Sequence, residues 1–173
     1  MTLRDRCRAV ELLVLDVDGV LTAGGISYSA QGGGDGEVKT FHVRDGSGLK
    51  LWHAAGKRSL ILTGRSSTIV NRRAAELGFT RVIQGASDKK SPLLAVLAEW
   101  SMGASAVCYV GDDVPDVPAM NVAGLAAAPA DACAEARAAA HYVCRAEGGR
   151  GAVREVVELM LRCQGNWLGT QGG

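Results

Sequence analysis

Residues Leu12 to Thr22 read LLVLDVDGVLT, an apolar run that ends in two carboxylates separated by one residue. Its apolar part, Leu12–Leu15, has the length of a short buried strand. On an extended backbone Asp16 and Asp18 point to the same side, and Gly19 permits a sharp turn beyond them. An ordinary strand-to-loop turn also favours Asp and Gly. This segment alone is therefore compatible with a simple turn or with carboxylates placed for chemistry.

Five more short apolar runs follow along the chain, and each has the character of a buried strand. They are Ser59–Leu62, Arg81–Ile83, Ala106–Val110, Gly124–Ala127 and Tyr142–Val143. Apolar residues three and four apart predict helices at Gly48–Ala55, Ser67–Leu77, Pro92–Trp100, Val117–Val122, Ala130–Ala139 and Val153–Arg162. The alternation predicts an α/β fold, a Rossmann-like parallel sheet with helices on both faces. Ligands of such sheets bind beyond the carboxyl ends of the strands.

The segment Ala23–Phe41 interrupts this alternation. Two β-like pieces, Ile26–Ser29 and Glu37–Phe41, flank a Gly-rich turn and predict a β-hairpin arm, with an irregular loop as the alternative. The Gly-rich segment Gln164–Gly173 predicts a mobile tail. Residues 1–173 are predicted to form a single domain.

Composition and charge limit the possible functions. The 173 residues are 47% hydrophobic and 21% charged, with a formal net charge of +1. This balance offers no basic field for nucleic acid, no apolar run has the length of a membrane span, and Met1–Glu11 lacks the apolar stretch of a signal peptide. Five scattered cysteines without a C-x-x-C pair predict no zinc site or disulfide framework. We therefore expect a cytoplasmic protein that binds neither nucleic acid nor membranes.

A second acidic cluster follows another apolar run, in the sequence CYVGDDVPD at Cys108–Asp116. A capped turn accounts for one aspartate, but poorly for Asp112 beside Asp113. Acidic groups at the ends of two strands would repel each other without a cation. Oxygen ligands of this kind suit Mg²⁺, so the two clusters together predict a magnesium site.

Two further strand ends carry groups suited to phosphate. Thr63-Gly64-Arg65 follows an apolar run, and its hydroxyl and backbone N–H groups can hold a phosphate oxygen where a helix begins. Alone, this pattern is more typical of a turn. Lys89 follows the next strand and can neutralise both a carboxylate and a phosphate, whereas Lys90 is expected to be a solvated surface group.

Together these groups can offset the electrostatic repulsion between a carboxylate and a phosphate. A phosphate monoester carries nearly two negative charges. Bringing a carboxylate within about 4 Å of it costs about 4 kcal/mol per charge pair at an effective dielectric of 20. Mg²⁺, Lys89 and donors at Thr63 can offset that cost. The sequence therefore predicts a magnesium-dependent phosphatase.

The order of the motifs, D-x-D-G-V-L-T, T-G-R, D-K and G-D-D-x-x-D, resembles the haloacid dehalogenase superfamily. Within it, three more segments resemble the 3-deoxy-D-manno-octulosonate 8-phosphate (KDO 8-phosphate) phosphatase family. They are FHVRDG at Phe41–Gly46, ELG at Glu76–Gly78 and GGRGAVRE at Gly148–Glu155. The resemblance covers Val10–Leu161 and implies an enzyme of lipopolysaccharide biosynthesis.

The resemblance implies a role for each matching residue. Asp16 would be the nucleophile that forms an aspartyl-phosphate, and Asp18 the general acid and base. Thr63 and Lys89 would bind the phosphoryl group. Mg²⁺ would be held by three groups, the Asp16 carboxylate, the Asp18 backbone carbonyl and Asp112. Two neighbouring aspartates would support that site, Asp113 and Asp116.

The family resemblance also implies a capless tetramer, since neither stretch where relatives insert a cap is long enough to encode one. Hairpin arms of capless members form a barrel, and a neighbouring subunit helps to close each site. By this resemblance Arg44 and the C-terminal tail are expected to reach the substrate of an adjacent subunit.

Arg65, with Gly64 beside it, is the predicted determinant of the substrate. Nine-carbon sugar-acid relatives tend to carry Glu or another residue after Thr-Gly, so Arg65 favours KDO 8-phosphate. A guanidinium can hold a sugar-acid carboxylate through two hydrogen bonds. The sequence departs from the family at Gln31–Gly36, Pro115 and Trp167, which leaves a nine-carbon substrate open.

Three other classes of protein share parts of this pattern. A phospho-accepting receiver domain has similar groups, but its acidic pair and acceptor precede the Thr and Lys, whereas here the second acidic cluster comes last. A catalytically inactive tetramerisation module would be favoured by loss of the nucleophile, and Asp16 is present. A phosphotransferase generally needs a cap to exclude water from the aspartyl-phosphate.

Overall fold

The secondary structure alternates between strands and helices, in a computed structural model that describes residues 1–29 and 36–167. In chain order the elements are α1 (Leu3–Ala9), β1 (Leu12–Leu15), β2 (Ser27–Tyr28), β3 (Glu37–Val38), α2 (Val43–Ala54), β4 (Arg58–Leu62), α3 (Thr68–Leu77), β5 (Arg81–Ile83), α4 (Lys90–Glu99), β6 (Val107–Val110), α5 (Val117–Met120), β7 (Leu125–Ala128), α6 (Ala134–Ala139), β8 (Tyr142–Val143) and α7 (Ala152–Gln164).

Six strands form one parallel sheet in the order β5-β4-β1-β6-β7-β8. Leu15 at the end of β1 is aligned with Ile61 of β4 on one side and with Val110 of β6 on the other. The strand order reverses at β1, because β4 and β5 extend to one side and the later strands to the other. The loops after β1, β4 and β6 therefore meet at a topological switch point, where open α/β sheets bind ligands.

Two apolar layers cover the sheet, because successive residues of a strand face opposite sides. Leu13 and Leu15 face the layer that contains α1, α2, α3 and α7. Leu12 and Val14 face the layer built by α4, α5 and α6. The predicted α/β class, a Rossmann-like parallel sheet with helices on both faces, is confirmed. None of the helices in the described part of the chain combines the length and the apolarity that crossing a bilayer would require.

The first helix, α1, is absent from the sequence-based predictions. A capping box starts it, in which Thr2 and Asp5 each bond to the other's backbone N–H. Cys7 and Val10 are buried against α7 and the sheet. Arginines lie between these apolar positions, so the sequence shows no clear helical spacing of apolar residues. The pattern that indicates this helix is Thr2 followed three residues later by Asp5.

The second helix begins at Val43 rather than at the predicted Gly48. Gly46 and Gly48 weaken a helix prediction, because glycine costs about 1 kcal/mol relative to alanine in a helix. Both are buried by close neighbours. A Cβ would lie 2.7 Å from Nη2 of Arg73 at Gly46, and 3.1 Å from Cδ of Arg154 at Gly48. Tertiary packing therefore explains these glycines.

The predicted helix Ala130–Ala139 is shorter in the structure and begins at Ala134. The residues before it form a turn that is tied to two other loops. The Cys133 N–H donates to the Asp112 carbonyl at 2.8 Å, and Asp131 accepts the Gly148 N–H at 2.9 Å.

The predicted hairpin arm is present as β2 and β3, which pair antiparallel with Tyr28 opposite Glu37. Both strands are shorter than the predicted Ile26–Ser29 and Glu37–Phe41. Most of the predicted Gly-rich turn, residues 30–35, lies outside the described residues.

The predicted tail differs at its start. Gln164 is the last residue of α7, and its amide donates to the carbonyls of Cys7 and Val10, each at 2.9 Å. The Trp167 ring lies against the guanidinium groups of Arg154 and Arg162. Gln164 therefore belongs to α7, the mobility of the tail stays a prediction, and residues 168–173 lie outside the described residues.

Candidate active site

One cavity of about 470 Å³ lies beyond the carboxyl ends of β1, β4 and β6. It brings together nearly all the residues that the sequence analysis selected. Its lining includes Asp16, Asp18, Thr63, Gly64, Arg65, Lys89 and Asp112, with Asp113 and Asp116 beside them. Arg44 is not among the lining residues, and it lies exposed near the start of α2.

Asp16 occupies the first position after β1 and is buried. Its N–H donates to the Val110 carbonyl at 3.1 Å, which continues the pairing of β1 with β6. Its Oδ1 accepts the Val17 N–H at 2.7 Å. These two hydrogen bonds fix the backbone and one carboxylate oxygen, and Oδ2 is left to the cavity side.

Lys89 bridges two carboxylates of the cavity. Its Nζ lies 2.7 Å from Asp16 Oδ2 and 2.6 Å from Asp116 Oδ1. The side chain is only 4% exposed, whereas Lys90 next to it is exposed, as predicted. The lysine therefore joins the end of β1 to the turn after β6.

Asp116 has more contacts than its predicted supporting role requires. Besides Lys89, its Oδ1 accepts the Tyr109 hydroxyl at 2.7 Å. Its Oδ2 accepts the backbone N–H groups of Asp112 and Asp113 at 3.2 and 3.3 Å. These four donors hold the G-D-D-x-x-D loop in shape, so Asp116 is the residue that places Asp112.

Asp112 meets the loop that carries Asp18. A Cβ at Gly19 would lie 2.0 Å from Asp112 Oδ2, so the carboxylate lies directly against the backbone of that loop. Its Oδ1 is buried and accepts no hydrogen bond from residues 1–29 or 36–167. Burial, and then the charges of Asp116 and Asp16, raise the pKa of Asp112 to about 7.

The arrangement fits a divalent cation. One carboxylate oxygen from each of Asp16, Asp112 and Asp116 lies within 4.8 Å of the others. Three carboxylates against the single ammonium of Lys89 leave two negative charges, which a divalent cation would balance. The unpartnered Asp112 oxygen and the all-oxygen donor set are those of a hard ion such as Mg²⁺.

The pKa values of Asp16 and Lys89 depend on the burial of both groups and on the charges that lie close to them. Burial and the nearby charge of Asp116 raise the pKa of Asp16, against the opposing effect of Lys89. Burial opposes protonation of Lys89, but Asp16 and Asp116 outweigh it and raise the pKa of its ammonium. The ammonium therefore stays charged beside the two carboxylates.

Thr63 is buried at the end of β4, and its backbone is bonded on both sides. Its N–H donates to the Ile83 carbonyl at 3.0 Å, and its carbonyl accepts the Ala86 N–H at 3.1 Å. This ties the Thr63–Gly64 turn to the loop that carries Lys89. Thr63 and Lys89 thus face the same cavity, as a shared phosphoryl site requires.

Asp18 is held by cations that belong to two different segments. Lys39 Nζ pairs with its Oδ1, and Arg65 Nε lies 3.5 Å from its Oδ2. Glu37 contacts both cations, at 3.3 Å from Lys39 and 2.9 Å from Arg65. Lys39 and Glu37 are not among the site residues predicted from the sequence. Their spacing of two on the predicted strand Glu37–Phe41, which places both on one side, was the sequence feature that indicated them.

The family-specific segments have structural functions in the described residues. Asp45, next to Arg44, is buried and accepts the N–H groups of Gly151 and Arg154 at 3.2 and 2.8 Å. It therefore caps the start of α7. Gly149 donates its N–H to the Val20 carbonyl at 2.9 Å, which attaches the same loop to the one that carries Asp18.

Comparison with known proteins finds similar curated proteins and solved structures, although no protein-family model matches the chain. The chain is 41% identical to the 3-deoxy-D-manno-octulosonate 8-phosphate phosphatase KdsC of Yersinia pestis over 167 residues, which cover 96% of this chain and 88% of that protein. It is 43% identical to KdsC of Escherichia coli K12 over 156 residues, which cover 90% and 81%.

The solved structures give the same result. The crystal structure of the Moraxella catarrhalis 3-deoxy-D-manno-octulosonate 8-phosphate phosphatase, in complex with a magnesium ion, a phosphate ion and KDO, matches with a TM-score of 0.90 at 40% identity. The match covers 94% of this chain and 92% of that one.

Proposed function

Because this chain belongs to the 3-deoxy-D-manno-octulosonate 8-phosphate phosphatase family of the haloacid dehalogenase superfamily, we propose that it hydrolyses KDO 8-phosphate with Mg²⁺ as cofactor. The observation that carries the proposal is the meeting of Asp16, Asp112 and Lys89 in one cavity. A carboxylate can approach a phosphate ester there, because Lys89 and a bound Mg²⁺ would offset the repulsion between the two negative groups.

In the first step Asp16 acts as the nucleophile. Its Oδ2 forms a bond to phosphorus while the bond between phosphorus and the sugar oxygen breaks. Asp18 gives its proton to that oxygen, so the sugar acid leaves as an alcohol. The products of this step are the free sugar acid and an aspartyl-phosphate at Asp16.

In the second step water attacks the same phosphorus atom. Asp18, now a carboxylate, takes a proton from the water, and the bond between phosphorus and Asp16 breaks. Inorganic phosphate leaves, and both aspartates return to their starting states. One positioned residue thus serves as acid and then as base.

The remaining residues bind and orient the phosphoryl group. Mg²⁺, when bound by the Asp16 and Asp112 carboxylates and the Asp18 carbonyl, supplies Lewis-acid stabilisation of the phosphoryl oxygens. Lys89 balances the charge of Asp16 as the phosphate approaches, and Thr63 donates its hydroxyl to a phosphoryl oxygen. Both face the cavity from one tied pair of loops.

Arg65 supports a sugar acid as the substrate. It lines the cavity with 40% of its side chain exposed, and its guanidinium contacts Asp18 and Glu37. A guanidinium there is suited to bind the carboxylate at the far end of the sugar through two hydrogen bonds. The nine-carbon sugar-acid phosphate is the second candidate, since Arg65 can bind that carboxylate too.

A screen of phosphate release tests the substrate. The purified chain is given Mg²⁺ and three substrates in turn: KDO 8-phosphate, a nine-carbon sugar-acid 9-phosphate, and glucose 6-phosphate, which lacks the carboxylate. We expect the highest kcat/KM for KDO 8-phosphate. A higher kcat/KM for the nine-carbon acid would support the second candidate. Equal values for all three substrates would show that the enzyme does not recognise the carboxylate of the sugar acid.

We also propose a homotetramer with the hairpin arms at its centre. The arm is too small to bury its own apolar side chains, since Ile26, Tyr28 and Val38 remain 51%, 75% and 48% exposed. Exposed apolar side chains on a strand pair suit pairing with other arms. Arg44 would then face a neighbouring site.

All five cysteines are free thiols, which fits a reducing cytoplasm.

A further inference from the structure

The hairpin arm reaches the proposed general acid through one lysine. Lys39 lies just beyond β3, and its Nζ pairs with Asp18 Oδ1. Only 3% of the Lys39 side chain is exposed, although the apolar side chains of the same arm, Ile26, Tyr28 and Val38, face solvent. A charged side chain buried to this degree needs a partner, and Asp18 with Glu37 provides it.

Lys39 contacts Asp18 without entering the catalytic cavity. The described residues that line that cavity include Asp18 and Arg65 but not Lys39, which lines a separate depression beside Phe41 and Arg73. Lys39 therefore cannot act on the phosphate directly from this position. Whatever it does for the reaction must act through Asp18.

We propose that Lys39 is a positioning residue for the general acid and base, which aims the Asp18 carboxyl at the leaving oxygen; this inference rests on the proposed phosphatase function. Glu37 fixes Lys39 from the other side at 3.3 Å. Arg65 contacts the opposite oxygen of Asp18, so the two cations together set the orientation of the carboxyl group.

Arg65 and Lys39 differ in how much of each side chain is exposed, and this difference gives them different roles. Arg65 is 40% exposed at the cavity rim, where it is free to exchange Asp18 for a substrate carboxylate. Lys39 is buried and has no such access, so its contact with Asp18 Oδ1 persists when substrate binds, and the proton that Asp18 donates is carried on Oδ2. Removing one partner of a buried ion pair leaves the other uncompensated. Asp18 would then turn toward solvent or Arg65 and away from the leaving oxygen.

Leaving-group chemistry separates this role from the alternatives. An alkyl phosphate needs a proton on its leaving oxygen, whereas p-nitrophenyl phosphate releases a stable anion that needs none. The value of kcat/KM covers the steps up to leaving-group departure. Misplacing the acid therefore lowers kcat/KM for alkyl phosphates and spares it for the aryl phosphate.

The experiment measures kcat/KM with Mg²⁺ for KDO 8-phosphate, glucose 6-phosphate and p-nitrophenyl phosphate. The variants are Lys39→Met, Lys39→Gln and Lys39→Arg, and Asp18→Asn gives the reference profile for a lost acid. Lys57→Met is the matched control, because Lys57 also pairs with a carboxylate, that of Glu11, but away from the cavity. Activity on the aryl phosphate also reports that each variant is folded.

We expect Lys39→Met and Lys39→Gln to lower kcat/KM for both alkyl phosphates by about tenfold to a hundredfold, part of the 10²–10⁴ of a general acid, and to change the aryl value less than about threefold. Lys39→Arg should restore much of the loss, and Lys57→Met should match the wild type. An equal loss on all three substrates would assign Lys39 a structural role and overturn the proposal. A loss on the sugar acid alone would overturn it in favour of substrate binding.

The design also separates this inference from the proposed function. A wild-type enzyme that prefers another ester still tests Lys39 through glucose 6-phosphate and the aryl phosphate. If Asp18→Asn itself spares the alkyl phosphates, the assigned mechanism fails, and Lys39 has no acid to position.

Discussion

Gly148 lies against the carbonyl oxygen of Gly19, so closely that a methyl group on Gly148 would be 1.8 Å from that oxygen. The loop before α7 thus packs backbone to backbone on the loop that carries Asp18. The Gly149 N–H strengthens the contact through its bond to the Val20 carbonyl. The family-specific segment GGRGAVRE therefore supports the loop that carries Asp18, although it lies far away in sequence.

Gly148→Ala should disturb that loop. The new methyl must displace the Gly19 carbonyl, and overpacking of this kind costs about 1–3 kcal/mol of stability. The displaced loop also carries Asp18 and lies against Asp112, so we expect kcat to fall by more than the loss of folded protein explains. Urea unfolding and phosphate release measure the two effects. Gly25→Ala is the control and should change neither, because a Cβ at Gly25 would have no neighbour within 4 Å.

Asp16→Asn should abolish phosphate release, by about three orders of magnitude or more, because an amide cannot replace the carboxylate nucleophile. The fold should remain, since the backbone pairing to Val110 does not involve the side chain. Acid-quenched wild-type enzyme should carry a phosphoryl group on Asp16, seen by mass spectrometry of its peptides, and the variant should carry none. Retained turnover in Asp16→Asn would remove the proposed mechanism. Asp5→Asn, which keeps one acceptor for the α1 capping box, is a control for the loss of a negative charge away from the cavity.

Chelation should stop hydrolysis, and added Mg²⁺ should restore it. Asp112→Asn should be inactive at any Mg²⁺ concentration. In chelator, however, it should unfold at a temperature about 2–4 °C higher than the wild type, the shift that about 1 kcal/mol produces in a domain of this size. The reason is that the crowded carboxylates of Asp16 and Asp116 no longer face a third one. Thermal unfolding with and without Mg²⁺ measures this, and full activity in excess chelator would exclude the metal.

Asp45 should matter for stability more than for chemistry. It accepts the N–H groups of Gly151 and Arg154 in a buried position, so Asp45→Ala leaves two helix donors unpaired. The expected loss is about 1–2 kcal/mol, typical of a removed cap. Asp45→Asn retains one acceptor and should lose less. Urea unfolding gives both values, and equal losses would show that the hydrogen bonds are not the cause.

The sequence predicts the sheet well, because most strand residues are apolar and because polar residues that line the cavity follow β1, β4 and β6. β1, β5 and β8 have the predicted bounds, and the residues after β1, β4 and β6 converge as the motif order implies. Local apolar patterning is sufficient for this part of the fold, since parallel strands are buried on both faces.

What the sequence does not predict depends on tertiary contacts. Gly46 looks like a helix breaker until Arg73 and Leu77 occupy the space beside it. Lys39 looks like a solvated residue of a surface arm until the hairpin folds back on Asp18. The sequence indicates only a supporting role for Asp116, whereas in the structure its carboxylate accepts four hydrogen bonds that hold the loop after β6. No local pattern carries these pairings.

Arg44 should act across a subunit boundary if the tetramer forms as proposed. Arg44→Ala and Asp16→Asn should each have little activity, because each site needs Asp16 from one chain and Arg44 from a neighbour. When the two variants are unfolded, mixed equally and refolded together, some sites receive both intact residues from different chains. Random assembly into a symmetric oligomer should restore about a quarter of the wild-type activity. Asp16→Asn mixed with Asp112→Asn is the control and should restore none, because those two residues lie in one cavity of one chain. No recovery in the first mixture would place Arg44 in its own chain's site, or outside any site.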